Sequence, residues 1–148
     1  MTTRLNPYII FPHSAEDALQ LYQRVFGGTV TITHFSQYGL ADTPDADKVM
    51  HGQLETPTGF TLMCGDTPTG MAYEPGRNMA ISLSGNEPEQ LRAWFEALAD
   101  GGQVAVPLEK QLWGDEFGQV IDRFGVVWVV DIHDDAASAH EGVDDSEM

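Results

Sequence analysis

His51 is the residue in this chain best suited to do chemistry. A neutral imidazole can accept a proton, make a hydrogen bond or ligate a metal near neutral pH. His51 lies in Val49–Glu55, which reads as a strand, and Gln53 shares its face two residues on. A strand histidine satisfied by its neighbours is the other role open to it. A second group gathers around Trp113-Gly114-Asp115-Glu116-Phe117-Gly118-Gln119. Trp113 and Phe117 offer aromatic surface, and the Trp113 indole offers a donor; both suit a pocket wall or rim packing. Asp115 suits a cap on the Gly114 turn better than a general base. Gln119 and Gln53 need partners if they face inward, either each other or a ligand. Trp128, between Val127 and Val129, suits pocket lining and core packing alike. His51 is thus the candidate catalytic group. Trp113, Asp115, Phe117, Gln119, Gln53 and Trp128 are the candidate ligand contacts.

Other chemistries find little support. Cys64 is the one cysteine, sits in an apolar strand beside Met63 and reads as inert. No Ser-His-Asp or Cys-His-Asn spacing stands out. The Gly-Gly pairs at 27–28 and 101–102 end helical stretches instead of opening them, which is wrong for a phosphate loop. No segment has the look of a methyl-donor site. His34, on a neighbouring strand, is placed to approach His51.

The elements that position these residues occur twice. His51–Asp66 (HGQLETPTGFTLMCGD) matches Phe117–Ile132 at an offset of 66 positions. Gly52-Gln53 then falls on Gly118-Gln119, and Gly59 on Gly125. Upstream, Ser14–Val30 matches residues 86–104, each copy opening on a capping residue and acids and stopping at Gly-Gly-x-Val. The offset there is 74, so the first copy has the longer middle, around Ser36–Asp47. Two copies are too few for a solenoid and indicate one duplicated supersecondary unit.

Each copy reads strand, helix, strand, strand, strand. In the first, Leu5–Phe11 is a strand whose Pro7 places it at an edge or start. Ser14 is the expected N-cap with Asp17 at N3, and apolar residues at helical spacing run to Phe26. Thr29–Phe35 alternates, Val49–Glu55 and Phe60–Cys64 form a hairpin, and Gln37–Asp47 reads as a mobile loop able to cover a site. In the second copy, strands are expected at residues 78–84, 103–108, 118–122 and 126–130, and a helix at 87–100. Residues 1–66 make the first unit, 67–77 the linker, 78–133 the second unit and 134–148 an acidic, disordered tail. The fold class is α+β: two βαβββ units whose sheets curl around a shared concave space.

Composition narrows the function. The chain has 148 residues, 42% hydrophobic, with a net charge of −16. That charge opposes the phosphate neutralisation that nucleic-acid binding requires. No apolar run approaches a membrane span, and Met1–Leu5 lacks the apolar stretch of a secretory signal. With a single cysteine, this points to the cytoplasm, no membrane and no nucleic acid.

The opening LNPYIIF, Phe26-Gly27-Gly28, His51-Gly52-Gln53-Leu54, Trp113-Gly114-Asp115-x-Phe117-Gly118 and Asp122-x-Phe124-Gly125-Val126-x-Trp128 together resemble the PhnB-like branch of the vicinal-oxygen-chelate superfamily. That superfamily includes glyoxalase I, bleomycin-resistance proteins, fosfomycin-resistance enzymes and extradiol dioxygenases. The resemblance covers roughly residues 4–133. It implies a homodimer and a cavity for a small molecule, here unidentified. In metal-using members, His and Glu on the first and last strands of both units hold a divalent ion. Transferred to this chain, those positions fall on or near Asn6, on Met63, among Asn78, Met79 and Ala80, and on Val129. Met and Val are not ligands for such an ion, so no usual metal and no cofactor are expected. The function expected is binding or conversion of a small molecule. The alternatives are a sequestering dimer of bleomycin-resistance type, or a metal-dependent lyase or dioxygenase with displaced ligands such as His51 and Glu55.

Overall fold

A computed structural model describes residues 3–133. The chain divides into two compact units, Met1–Arg77 and Asn78–Met148. The acidic tail expected at 134–148 lies outside the described residues.

The first unit runs β1 (Tyr8–Phe11), α1 (Ala15–Phe26), β2 (Thr29–His34), a short 3₁₀ turn (Phe35–Tyr38), β3 (Val49–Glu55) and β4 (Thr61–Asp66). Its sheet order is β1-β4-β3-β2, with β1 parallel to β4 and the other pairs antiparallel. The second unit runs β5 (Ile81–Gly85), α2 (Pro88–Ala99), β6 (Gln103–Lys110), β7 (Glu116–Ile121) and β8 (Val127–Ile132). Its order is β5-β8-β7-β6, again with only the first and last strands parallel. Each unit is therefore βαβββ, and the chain is α+β. Among the described residues no helix is long and apolar enough to cross a membrane.

Alternation along the strands gives each sheet a covered and an open face. In unit 1, Phe11, Leu54, Leu62 and Cys64 are buried toward α1, which contributes Ala15, Ala18, Leu19 and Tyr22. In unit 2, Leu83, Val120, Trp128, Val130 and Ile132 are buried, together with Leu91, Phe95 and Leu98 of α2. The helices lie close because glycine stands beneath them. A Cβ on Gly52 would come within 2.4 Å of Leu19 Cδ1, and one on Gly118 within 2.8 Å of the Leu108 Cα and 2.9 Å of Phe95. These glycines are repeat partners, and the glutamine after each emerges on the other face.

One local expectation is corrected. Ser14 occupies the N-cap position but makes no side-chain cap bond, because its backbone (φ −111°, ψ 16°) is not the extended form an N-cap serine uses. Asp66, at the end of β4, supplies the acceptor instead: its Oδ1 takes the Ala15 N–H at 2.9 Å and its Oδ2 the Val49 N–H at 2.9 Å. The 37–47 segment, expected as a loop, is anchored near its far end. Asp45 accepts from both the amide (2.9 Å) and the hydroxyl (2.6 Å) of Thr69 and pairs with Lys48 at 3.2 Å. These bonds and the Lys48 charge hold the Asp45 carboxyl below its ordinary pKa, the Thr69 bonds contributing most.

Candidate functional site

The open face of unit 1 carries His51, Gln53, Tyr8 and Met63. Strand register puts Tyr8 beside Met63, Met63 beside Gln53 and Gln53 beside Thr31 in one row. His51 stands one row along, opposite Thr33. Its Nε2 is 3.4 Å from Gln53 Oε1, and its ring lies 5.7 Å from the Tyr8 ring. The Tyr8 hydroxyl lies over Gly65, 2.8 Å from where a Cβ would be, and donates to the Met50 carbonyl at 3.5 Å. Burial first, and Cys64 second, raise the Tyr8 phenol above its ordinary pKa. This arrangement can orient an imidazole beside a phenol and an amide. His34 does not join it: its Nε2 meets Glu16 Oε1 of α1 at 3.0 Å, and a register shift between Thr33 and His34 turns it toward the helix side.

The open face of unit 2 carries Gln119, Phe117 and Asp131. One row reads Ser82, Val129, Gln119 and Val106, and the next Ser84, Asp131, Phe117 and Glu109. Trp113, 56% exposed, sets its ring against Phe117 with centroids 6.4 Å apart. Beside these aromatics, Asp115 Oδ2 lies 3.1 Å from His133 Nδ1. Asp131 is held close to Asp115. Burial first, then the hydrogen bond and charge of Asp115, raise the Asp131 carboxyl above its ordinary pKa, with His133 pulling the other way. His133 also lines a cleft of about 340 Å³ with Asn86, Pro88, Arg92, Lys110 and Glu116. Arg92 grips Glu116 through both carboxylate oxygens there.

Trp113, Asp115 and Phe117 thus share one neighbourhood in unit 2, Gln119 lies one row away, and His51 and Gln53 share another in unit 1. Trp128 belongs to neither. It is fully buried on the covered face and its indole donates to Asp122 Oδ2 at 2.9 Å, so the ligand-contact reading gives way to core packing. Asp131 went unread in the sequence. The signal was there: Asp131 is the single charged residue in the apolar strand VWVVDI, on the same face as Val127 and Val129.

The positions where the superfamily places its metal do not fit one here. Met63 and Val129 offer a thioether and an alkyl group at the centres of their rows, beside Gln53 and Gln119.

The profile of the family described as 3-demethylubiquinone-9 3-methyltransferase matches residues 3–131. The chain belongs to this family. A Pseudomonas aeruginosa protein of known structure is 33% identical, with a TM-score of 0.77 over 89% of this chain and 98% of that one. The PhnB protein of Bacillus cereus is 21% identical, with a TM-score of 0.70 over 88% of this chain and 100% of that one. A glyoxylase/bleomycin resistance protein/dioxygenase domain from Frankia is 13% identical, with a TM-score of 0.63 over 90% of this chain and 99% of that one. The fold is that of the glyoxalase and bleomycin-resistance proteins, and this family member is PhnB-like, as its motifs implied.

Proposed function

We propose that this PhnB-like protein binds small molecules on the open faces of its sheets, each face taken by itself, and that His51 is the group placed to act on one bound to the first. One observation carries the reading. Each unit covers one sheet face with a helix and leaves polar and aromatic side chains on the other, at matching positions: Gln53 and Gln119 at the row centres, His51 and Phe117 one row along. Polar groups held at half-buried strand positions with few protein partners suit a ligand that supplies the missing bonds. On the open face of the second unit Trp113 and Phe117 supply stacking surface, and on that of the first His51 supplies a proton acceptor. Methyl transfer is the family's description; nothing in these rows favours it over binding alone. The exposed apolar residues of the open faces, Tyr8, Ile10 and Val106 among them, favour a second copy of the chain as a cover.

The test is a thermal-shift screen of small metabolites and antibiotics, followed by calorimetry on hits. A true ligand loses at least tenfold in affinity in Gln53→Ala or Gln119→Ala, and a turned-over one loses rate in His51→Ala. Ligands whose binding ignores all three substitutions would sink the assignment. Light scattering tests the pairing separately: twice the 16.2 kDa chain mass is expected, and the chain mass itself would refute it.

A further inference from the structure

Unit 2 has a donor set that the proposed ligand reading does not use. One atom from each of Asp115, Asp131 and His133 lies within 4.8 Å of the other two, the one such gathering of His, Cys, Asp and Glu among the described residues. One pair, His133 Nδ1 and Asp115 Oδ2, is 3.1 Å apart. Two ligands about 2.1 Å from one ion and at right angles to each other lie about 3.0 Å apart, so this pair already has the spacing of neighbouring ligands.

The second observation is independent of the spacing. Asp131 Oδ1 is fully buried and takes no hydrogen bond. A buried carboxylate oxygen without a donor is costly, and such an atom calls for an explanation. The backbone around it is fixed. Asp131 pairs with Phe117 on one side and Ser84 on the other, His133 N–H donates to Gly85 O at 2.7 Å, and Asp115 O accepts from Gln111 N–H at 2.7 Å. The three donors therefore sit on a braced frame, which is what a site needs to hold an ion without reordering. His133 is part-exposed and lines the cleft already described, which gives an ion a way in.

We propose that unit 2 binds one divalent cation through Asp115, Asp131 and His133, with water completing its coordination. The cation satisfies Asp131 Oδ1 and balances two carboxylates. One imidazole and two carboxylates suit a borderline or hard ion such as Mn²⁺, Fe²⁺ or Zn²⁺. The site is displaced from the superfamily's position, where Val129 stands two residues earlier on the same face of β8.

The experiment uses full-length, untagged protein stripped with a chelator and dialysed. Mn²⁺ is titrated in, with free aquo-Mn²⁺ read by electron paramagnetic resonance, and Zn²⁺ is followed by calorimetry. One ion per chain is expected, with a dissociation constant on the order of 10 µM or tighter for Mn²⁺. Asp131→Asn, nearly isosteric, and His133→Ala, at a part-exposed position, should each weaken binding at least tenfold while keeping the circular-dichroism spectrum. His13→Ala, at an exposed position, should leave binding unchanged. The proposal is overturned if neither ion binds stoichiometrically. It is also overturned if Asp131→Asn and His133→Ala bind as the parent does, since the ion is then held by the diffuse acidic surface. Neither result bears on ligand binding through Gln53 and Gln119, which is tested separately.

Discussion

Laid over one another at an offset of 66 in the hairpins and 74 upstream of them, the two units agree where the backbone is constrained and differ where side chains face outward. Thr56 and Asp122 occupy the same corner of their hairpins. Thr56 Oγ1 accepts the Phe60 amide at 3.1 Å, and Asp122 Oδ1 accepts the equivalent Val126 amide at 3.1 Å. Gly28 and Gly102 make the same close approach: a Cβ would sit 2.1 Å from Glu55 O in one and 2.2 Å from Ile121 O in the other. On the open faces, away from the Gln53–Gln119 pair, the agreement ends. His51 matches Phe117, and Gly65, covered by the Tyr8 hydroxyl, matches Asp131. Duplication kept what the sheet and helix require and let the exposed rows take on separate chemistry.

That division can be tested, and the close glycines should give the largest effect. Gly28→Ala and Gly102→Ala each drive a methyl into a backbone carbonyl that cannot swing away, and each should cost about 3 kcal/mol or more. Urea unfolding measures it; a near-neutral result in one unit alone would break the claimed equivalence. The hairpin corners come next. Asp122→Ala strands the Phe124 and Val126 amides and the buried Trp128 indole, whereas Thr56→Ala strands chiefly one part-buried amide. Losses of about 4 and about 1 kcal/mol are expected, and equal losses would mean that the indole bond contributes nothing.

The smallest effect at neutral pH belongs to Cys64, whose counterpart is Val130. Burial first, and Asp66 second, push the Cys64 thiol from its ordinary 9.0 up to about 12. Above pH 9 the unfolded chain releases this proton while the native protein keeps it, so stability falls as pH rises toward 12. The raised Tyr8 phenol adds to the same slope. Cys64→Val should cost under about 1 kcal/mol at pH 7 and flatten the alkaline decline in melting temperature. A decline as steep as the parent's would refute burial of the thiol as its cause.

Much of the fold was legible because the repeat and the strand alternation report the same thing. The 66-residue offset paired Gly52 with Gly118 and Gln53 with Gln119, and the register places each pair at matching points of its sheet. The site was less legible because burial side and long-range partners decide it. Trp128 looked the same as a pocket or a core residue until the parity of β8 put it under α2. Ser14 satisfied the local pattern of a cap, but Asp66, 52 positions later, took the bond. Asp131 escaped notice inside an apolar strand because Asp115, 16 positions earlier, is brought to it only by the pairing of β7 and β8.

The last strand of each unit is not at an edge: β4 lies between β1 and β3, and β8 between β5 and β7. As the chain leaves the ribosome, β1 therefore has no partner until Thr61–Asp66 has been made. Its parallel pairing must close a loop of about 50 residues, an entropic cost that precedes any reward from contacts. Only then does Asp66 arrive to hold the start of α1 and the start of β3. Helix cap, sheet centre and first strand are thus completed by one late segment, so a half-made unit offers little worth keeping and each unit should form in a single cooperative step.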